Sequence, residues 1–170
     1  LVSEGATAAD SPSACAPGMD AIVTMLPDSP DSEAVILGDD GVLSGARAGA
    51  TIIDMSSIAP ATSQRIAAAC EAKGVDALDA PVSGGEPGAI AGQLAVMVGG
   101  KREAFDHCEP IFQAVGKSYV LCGGYGARPT KDGMDAVQSH IQNTENSAIE
   151  ETENNYPMRI TRYELLPDSE

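Results

Sequence analysis

Short apolar runs that alternate with single helical patterns restrict this chain more than any other feature it has. Ala21-Ile22-Val23-Thr24-Met25-Leu26 is closed by Pro27 and reads as a buried strand. Residues 30–37 read as a short helix, stopped by Gly38 and the turn Asp39-Asp40-Gly41. Thr51-Ile52-Ile53-Asp54 is a second strand. Pro60 then suits a helix start, where its missing N–H removes no bond. Ile66, Ala69, Cys70 and Lys73 follow at helical spacing, and Gly74 ends that helix. Asp76-Ala77-Leu78-Asp79 and Leu94-Ala95-Val96-Met97-Val98 are further strands. Phe105, Cys108, Phe112 and Val115 then share one face of a helix ending at Gly116, and Tyr119-Val120-Leu121 is a last strand. Fully apolar strands separated by single helices predict an α/β fold, with a mostly parallel sheet covered on both faces.

Charge narrows the partners. A net charge of −15 and an isoelectric point near 4.3 argue against nucleic acid and anionic membrane, which are bound through clustered Lys and Arg. No run of about 18 apolar residues is present, so no spanning helix is expected. Cys15, Cys70, Cys108 and Cys122 are scattered, and His107 lies far from His140. That spacing suits no zinc site, and it predicts free thiols in a reducing cytoplasm. The start, Leu1-Val2-Ser3-Glu4-Gly5, has neither an initiator Met nor a signal pattern, which predicts truncation there.

In sheets of this kind, ligands sit at the loops that follow the carboxyl ends of strands. Three such loops stand out. Met25-Leu26-Pro27-Asp28 leaves the first strand at a proline, which frees backbone groups to face a ligand or simply makes a turn into the next helix. Ser56 and Ser57 precede the Pro60 helix, where hydroxyls can cap free N–H groups or face a ligand at the positive helix end. Ser83-Gly84-Gly85 offers a hydroxyl and bare backbone N–H groups, with no Cβ to block a close approach.

The run Asp79-Ala80-Pro81-Val82-Ser83-Gly84-Gly85-Glu86-Pro87-Gly88-Ala89, with the two upstream loops, resembles the β-hydroxyacid dehydrogenases over residues 1–125. That group includes 3-hydroxyisobutyrate dehydrogenase and 2-hydroxy-3-oxopropionate (tartronate semialdehyde) reductase. The resemblance implies the C-terminal half of a Rossmann-like nicotinamide-binding domain, using NAD or NADP on a small hydroxy acid or semialdehyde. It implies that Ser83, Gly84 and Gly85 grip the substrate carboxylate, and that Met25, Leu26, Pro27 and Ser57 touch the cofactor. The family's G-x-G-x-x-G loop, which grips the pyrophosphate, belongs ahead of residue 1. Its catalytic lysine follows a G-x-G-A-G stretch and is itself followed within a turn by Asn. Here Gly124-Tyr125-Gly126-Ala127 begins that stretch, but Lys131 lies one residue early, the Asn is missing, and Pro129 and Gly133 oppose a helix. No catalytic residue and no metal ligand is therefore assigned.

The text of the chain changes near residue 122. Asparagine is absent from residues 1–142 and then occurs at Asn143, Asn146, Asn154 and Asn155. Alanine is dense to Ala114, then occurs only at Ala127, Ala136 and Ala148. Gly126 to His140, Asn143 to Ser147 and Tyr156 to Leu165 together resemble an internal piece of the hydantoinase B/oxoprolinase family. The expected organisation is therefore a partial dehydrogenase domain at 1–122 and a poorly packed α+β fragment at 123–170. The latter has a capping-box helix near Ser147–Glu150 and a strand after Pro157. His140 reads as a polar loop residue there. The expected product is an inactive chimeric fragment of an oxidoreductase. Its rivals are a non-catalytic fusion and an amidohydrolase subunit fragment, and its oligomeric state is left open.

Overall fold

The computed structural model describes residues 2–127. The sequence expectations for 128–170, including Lys131, His140, the capping-box helix and the strand after Pro157, lie outside the described residues. After a 3-10 turn at Val2–Glu4 come α1 (Pro12–Cys15), β1 (Ala21–Thr24), α2 (Ser29–Leu37), α3 (Val42–Gly45) and β2 (Thr51–Asp54). Then follow α4 (Pro60–Ala72), β3 (Asp76–Asp79), β4 (Val82–Ser83), α5 (Gly85–Ile90), β5 (Leu94–Gly100), α6 (Arg102–Val115) and β6 (Gly116–Gly123).

Strands β1, β2 and β3 pair in parallel, with Ile22 beside Ile52 and Ile52 beside Ala77. Alternate side chains go to opposite faces, as strand geometry requires. Ile22, Ile52 and Ala77 join Ile36 of α2, Val42 of α3 and Ile66, Ala67 and Cys70 of α4 in one core. Ala21, Ile53 and Leu78 join Val96 and Val98 of β5 and Phe105, Cys108, Ile111 and Phe112 of α6 in a second. Both faces of the sheet are thus covered, as expected of an α/β fold.

The expected mostly parallel sheet is present, with parallel pairing at β1–β2, β2–β3 and β5–β6, and its far half adds two antiparallel pairings. β5 runs antiparallel to β3, with Leu78 beside Gly100, and antiparallel to β4, with Val82 beside Val96. β6 then pairs in parallel with β5. The reason lies in chain length. The stretch 84–93 is too short for a crossover to a parallel neighbour, which needs a dozen or more residues. The chain therefore folds straight back, and α5 sits in the excursion. β1 also stops at Thr24 instead of running to residue 26, so Met25 and Leu26 belong to the loop.

α6 shows why the second core holds. Ala104, Phe105, Cys108, Ile111 and Phe112 are all buried on one face. Phe105 stacks on Phe112 with centroids 5.5 Å apart, and Phe112 meets Tyr119 of β6 at 6.0 Å. The Tyr119 hydroxyl donates to Glu109 at 2.8 Å, which satisfies its polar end. Beyond β6, the turn to Ala127 folds back over α4. A Cβ on Gly126 would lie 3.0 Å from the Pro60 carbonyl oxygen, so glycine lets the turn pack against the helix start. Tyr125 packs on the first core.

Candidate functional site

The carboxyl ends of β1 and β2 open into a cleft of about 410 Å³. One wall is Met25, Leu26 and Pro27 together with Met55, Ser56 and Ser57. The other is Val82, Gly85, Glu86, Ala89 and Leu94, supplied by β4, α5 and the start of β5. Five of the seven residues singled out in the sequence, Met25, Leu26, Pro27, Ser57 and Gly85, line this one space. Ser83 and Gly84 do not line it; both are exposed at the rim, Ser83 on β4 and Gly84 at the entry to α5. Their placement follows from the fold-back, since β4 spends its backbone on β5.

The rim still has the geometry that glycine permits. Gly84 has φ +131° and Gly85 φ +58°, both in the region that L side chains rarely adopt. A Cβ on Gly84 would lie 3.2 Å from Leu94 Cδ2. This turn starts α5 without any side-chain cap. Among the described residues lining the cleft, Glu86 alone carries a formal charge, and no Lys, Arg or His is among them. On the first wall, Met25 is 61% exposed.

The two loops of the first wall are bound to each other in a way the sequence did not announce. The Thr24 carbonyl accepts from the Met55 N–H at 2.8 Å. The Thr24 hydroxyl donates to Asp54 Oδ1 at 3.0 Å, and the Ser56 N–H donates to the same oxygen at 3.1 Å. The Leu26 N–H donates to Ser56 Oγ at 2.8 Å, and the Ala59 N–H donates to Ser29 Oγ at 2.9 Å. Neither serine therefore does the capping considered from the sequence; the N-cap of α4 is Ala59, with no side-chain bond. Ser57 is exposed and faces the cleft, whereas Ser56 is buried and ties the loops. The sequence reading missed Asp54 as a site residue and the tie that Ser56 makes to Leu26. The signal for them was the shared polar ending of the two strands, Thr24 on β1 and Asp54 on β2, which are register partners.

Asp54 is 3% exposed, and its Oδ2 has no hydrogen-bond partner among the described residues. It borders a void of about 10 Å³ lined also by Ser63, Asp79 and Tyr125. That is near the smallest space that holds one water. The four cysteines are free thiols. Burial pushes Cys70 and Cys108 up to about 11, so neither is a ready nucleophile at neutral pH. No helix among the described residues is long and apolar enough to cross a membrane.

Comparison with known proteins agrees with this geometry. Residues 1–124 match the family model of the NAD binding domain of 6-phosphogluconate dehydrogenase. The chain is 42% identical over 127 residues to 3-hydroxyisobutyrate dehydrogenase of Pseudomonas aeruginosa, which covers 75% of this chain and 43% of that protein. It is 42% identical over 126 residues to 2-hydroxy-3-oxopropionate reductase of Escherichia coli K12, covering 74% of this chain and 43% of that one. The solved Mycobacterium tuberculosis 3-hydroxyisobutyrate dehydrogenase with L-serine superposes with a TM-score of 0.65 at 33% identity, covering 69% of this chain and 40% of that one. The chain thus spans about two fifths of the length of the curated relatives it matches. Its sheet, its cleft and these matches place it in the β-hydroxyacid dehydrogenase family, whose cofactor is NAD or NADP, as a carrier of that family's NAD-binding domain.

Proposed function

We propose that the cleft takes the nicotinamide end of NAD or NADP beside a small hydroxy acid or its semialdehyde, and that the parent reaction is hydride transfer between them. The observation that carries this reading is the convergence of Met25, Leu26, Pro27, Ser57 and Gly85 on one space. Met25, Leu26, Pro27 and Ser57 face the cofactor, while the Ser83 hydroxyl and the N–H groups of Gly84 and Gly85 receive the substrate carboxylate at the rim.

Turnover by this chain is expected to be slight. No G-x-G-x-x-G run occurs in it to hold the pyrophosphate, and no lysine stands at the family's general acid/base spacing. The test is to mix the purified chain with tartronate semialdehyde and NADH or NADPH and follow absorbance of the reduced cofactor. A flat trace is expected, while steady oxidation overturns the claim of inactivity. Binding is tested separately by titrating reduced nicotinamide mononucleotide into 15N-labelled protein. Shifts confined to the amides of Met25, Leu26, Ser57 and Gly85 support the assignment, and no shift there removes it.

A second reading concerns residues 123–170. The family match ends at residue 124, close to where the alanine-rich text ends, and asparagine first occurs beyond it, at Asn143. We propose that a piece of hydantoinase B type is joined there and that the chain is a cytoplasmic chimera. Single long sequencing reads across codons 110–140 of the source DNA test this. An in-frame junction in every read supports a real fusion, and reads continuing into a helix with Lys and Asn overturn it.

A further inference from the structure

The bonds between the two loops of the cleft's first wall follow a pattern. Thr24 meets Asp54, Leu26 meets Ser56, and Ser29 meets Ala59, each partner 30 residues on. β1 and β2 are paired with the same offset, Thr24 beside Asp54. The strands end there, but their register continues for five more residues through side-chain-to-backbone bonds. An ordinary ladder cannot do this, because Pro27 has no N–H and the loops must diverge into α2 and α4.

We propose that Asp54 and Ser56 are positioning residues for the nicotinamide-facing loop, acting as a strut that makes residues 25–27 and 55–57 one rigid wall. This rests on the reading of the cleft given above. Asp54 Oδ1 accepts both the Thr24 hydroxyl and the Ser56 N–H, which fixes where Ser56 stands. Ser56 Oγ then accepts the Leu26 N–H, which fixes where Met25, Leu26 and Pro27 stand. Both side chains are buried and their bonds run to the two loops, Ser56 Oγ being taken up by the Leu26 N–H, so they act through the loop. The second carboxylate oxygen is not used among the described residues. The strut therefore needs an acceptor at Oδ1 and does not need the charge. Asn keeps that acceptor and Ala removes it.

The experiment compares wild type with Ser56→Ala, Asp54→Ala and Asp54→Asn by two readouts. The first is hydrogen exchange at the Leu26 amide, with the Ile52 and Ile53 amides as internal controls for the folded sheet. The second is affinity for reduced nicotinamide mononucleotide by amide shifts. Ser56→Ala and Asp54→Ala are expected to speed exchange at Leu26 and to weaken the mononucleotide about tenfold, the loss of a hydrogen bond to a buried partner, while Asp54→Asn stays within about twofold of wild type. A folded Ser56→Ala that protects Leu26 and binds like wild type overturns the proposal. So does an Asp54→Asn as weak as Asp54→Ala, since charge would then be the requirement. If wild type shows no shift with the mononucleotide, the reading of the cleft fails and the positioning role falls with it. In that case altered exchange at Leu26 still separates a strut that exists from one that does not.

Discussion

Helices α5 and α6 sit on either side of the same strand, β5, yet they are held by different physics. α6 buries five residues and brings an aromatic cluster onto the sheet. α5 buries none, contains Gly88 and Pro87, and leaves Ile90 in solvent. α6 is positioned by packing; α5 is positioned by the backbone turn at Gly84 and Gly85. A fold needs elements of the first kind for stability, and a binding cleft needs one of the second kind, because a wall held by a turn can adjust to what enters.

That contrast can be broken in order of expected effect. Phe112→Ala removes a side chain with no exposed surface and is expected to cost about 3–5 kcal/mol, read as a lower denaturation midpoint in urea. A change smaller than that of Gly84→Ala removes the distinction drawn here. Next comes pH. Burial raises Cys70 and Cys108 from 9.0 to about 11, with the core of α6 holding the second. The stabilisation from keeping these thiols neutral is complete below pH 9 and is lost as pH rises toward 11. The urea midpoint should therefore fall across that window, and fall less in a Cys70→Ala, Cys108→Ala variant. Gly84→Ala forces a Cβ into φ +131° and against Leu94, at an expected cost of about 1–3 kcal/mol. Its signature is local: faster amide exchange across Gly85–Ile90 and weaker mononucleotide binding, with the α6 amides unmoved. Smallest is Ile90→Ser, expected to change stability by less than about 0.5 kcal/mol, because the side chain is already in water. A larger loss in thermal melting would show that α5 is packed after all.

Much of this was legible from the residues. The strands Thr51–Asp54 and Asp76–Asp79 begin and end where apolar text and turns said they should, because fully buried strands leave no other period to read. α4 starts at Pro60, and α6 shows the face read from Phe105, Cys108 and Phe112. The direction of β5 was not legible from its own composition, since an apolar run is the same whichever way it runs. It is set by the short stretch before it. The short helices α1 and α3 were passed over because four residues carry no period. In the site, the loops were legible from their prolines, serines and glycines. The division of labour between Ser56 and Ser57 was not. It depends on which hydroxyl points back at Leu26, and adjacent residues in a loop give no pattern from which to read that.

The cleft's walls come from residues 25–27, 55–57 and 82–94, stretches that meet only when β1, β2 and β5 have all taken their places. Each junction joins distant parts of the chain, as Leu26 and Ser56 do from 30 residues apart, so the search that assembles them is slow and its last step is cooperative. A sheet that lacks one of these strands lacks part of the cleft's lining. A ligand of this cleft therefore selects the complete sheet from every partial one and adds its binding free energy to the native state alone. Occupancy and folding are one equilibrium in this molecule, and a cofactor titration is at the same time a measurement of how much of the chain has finished folding.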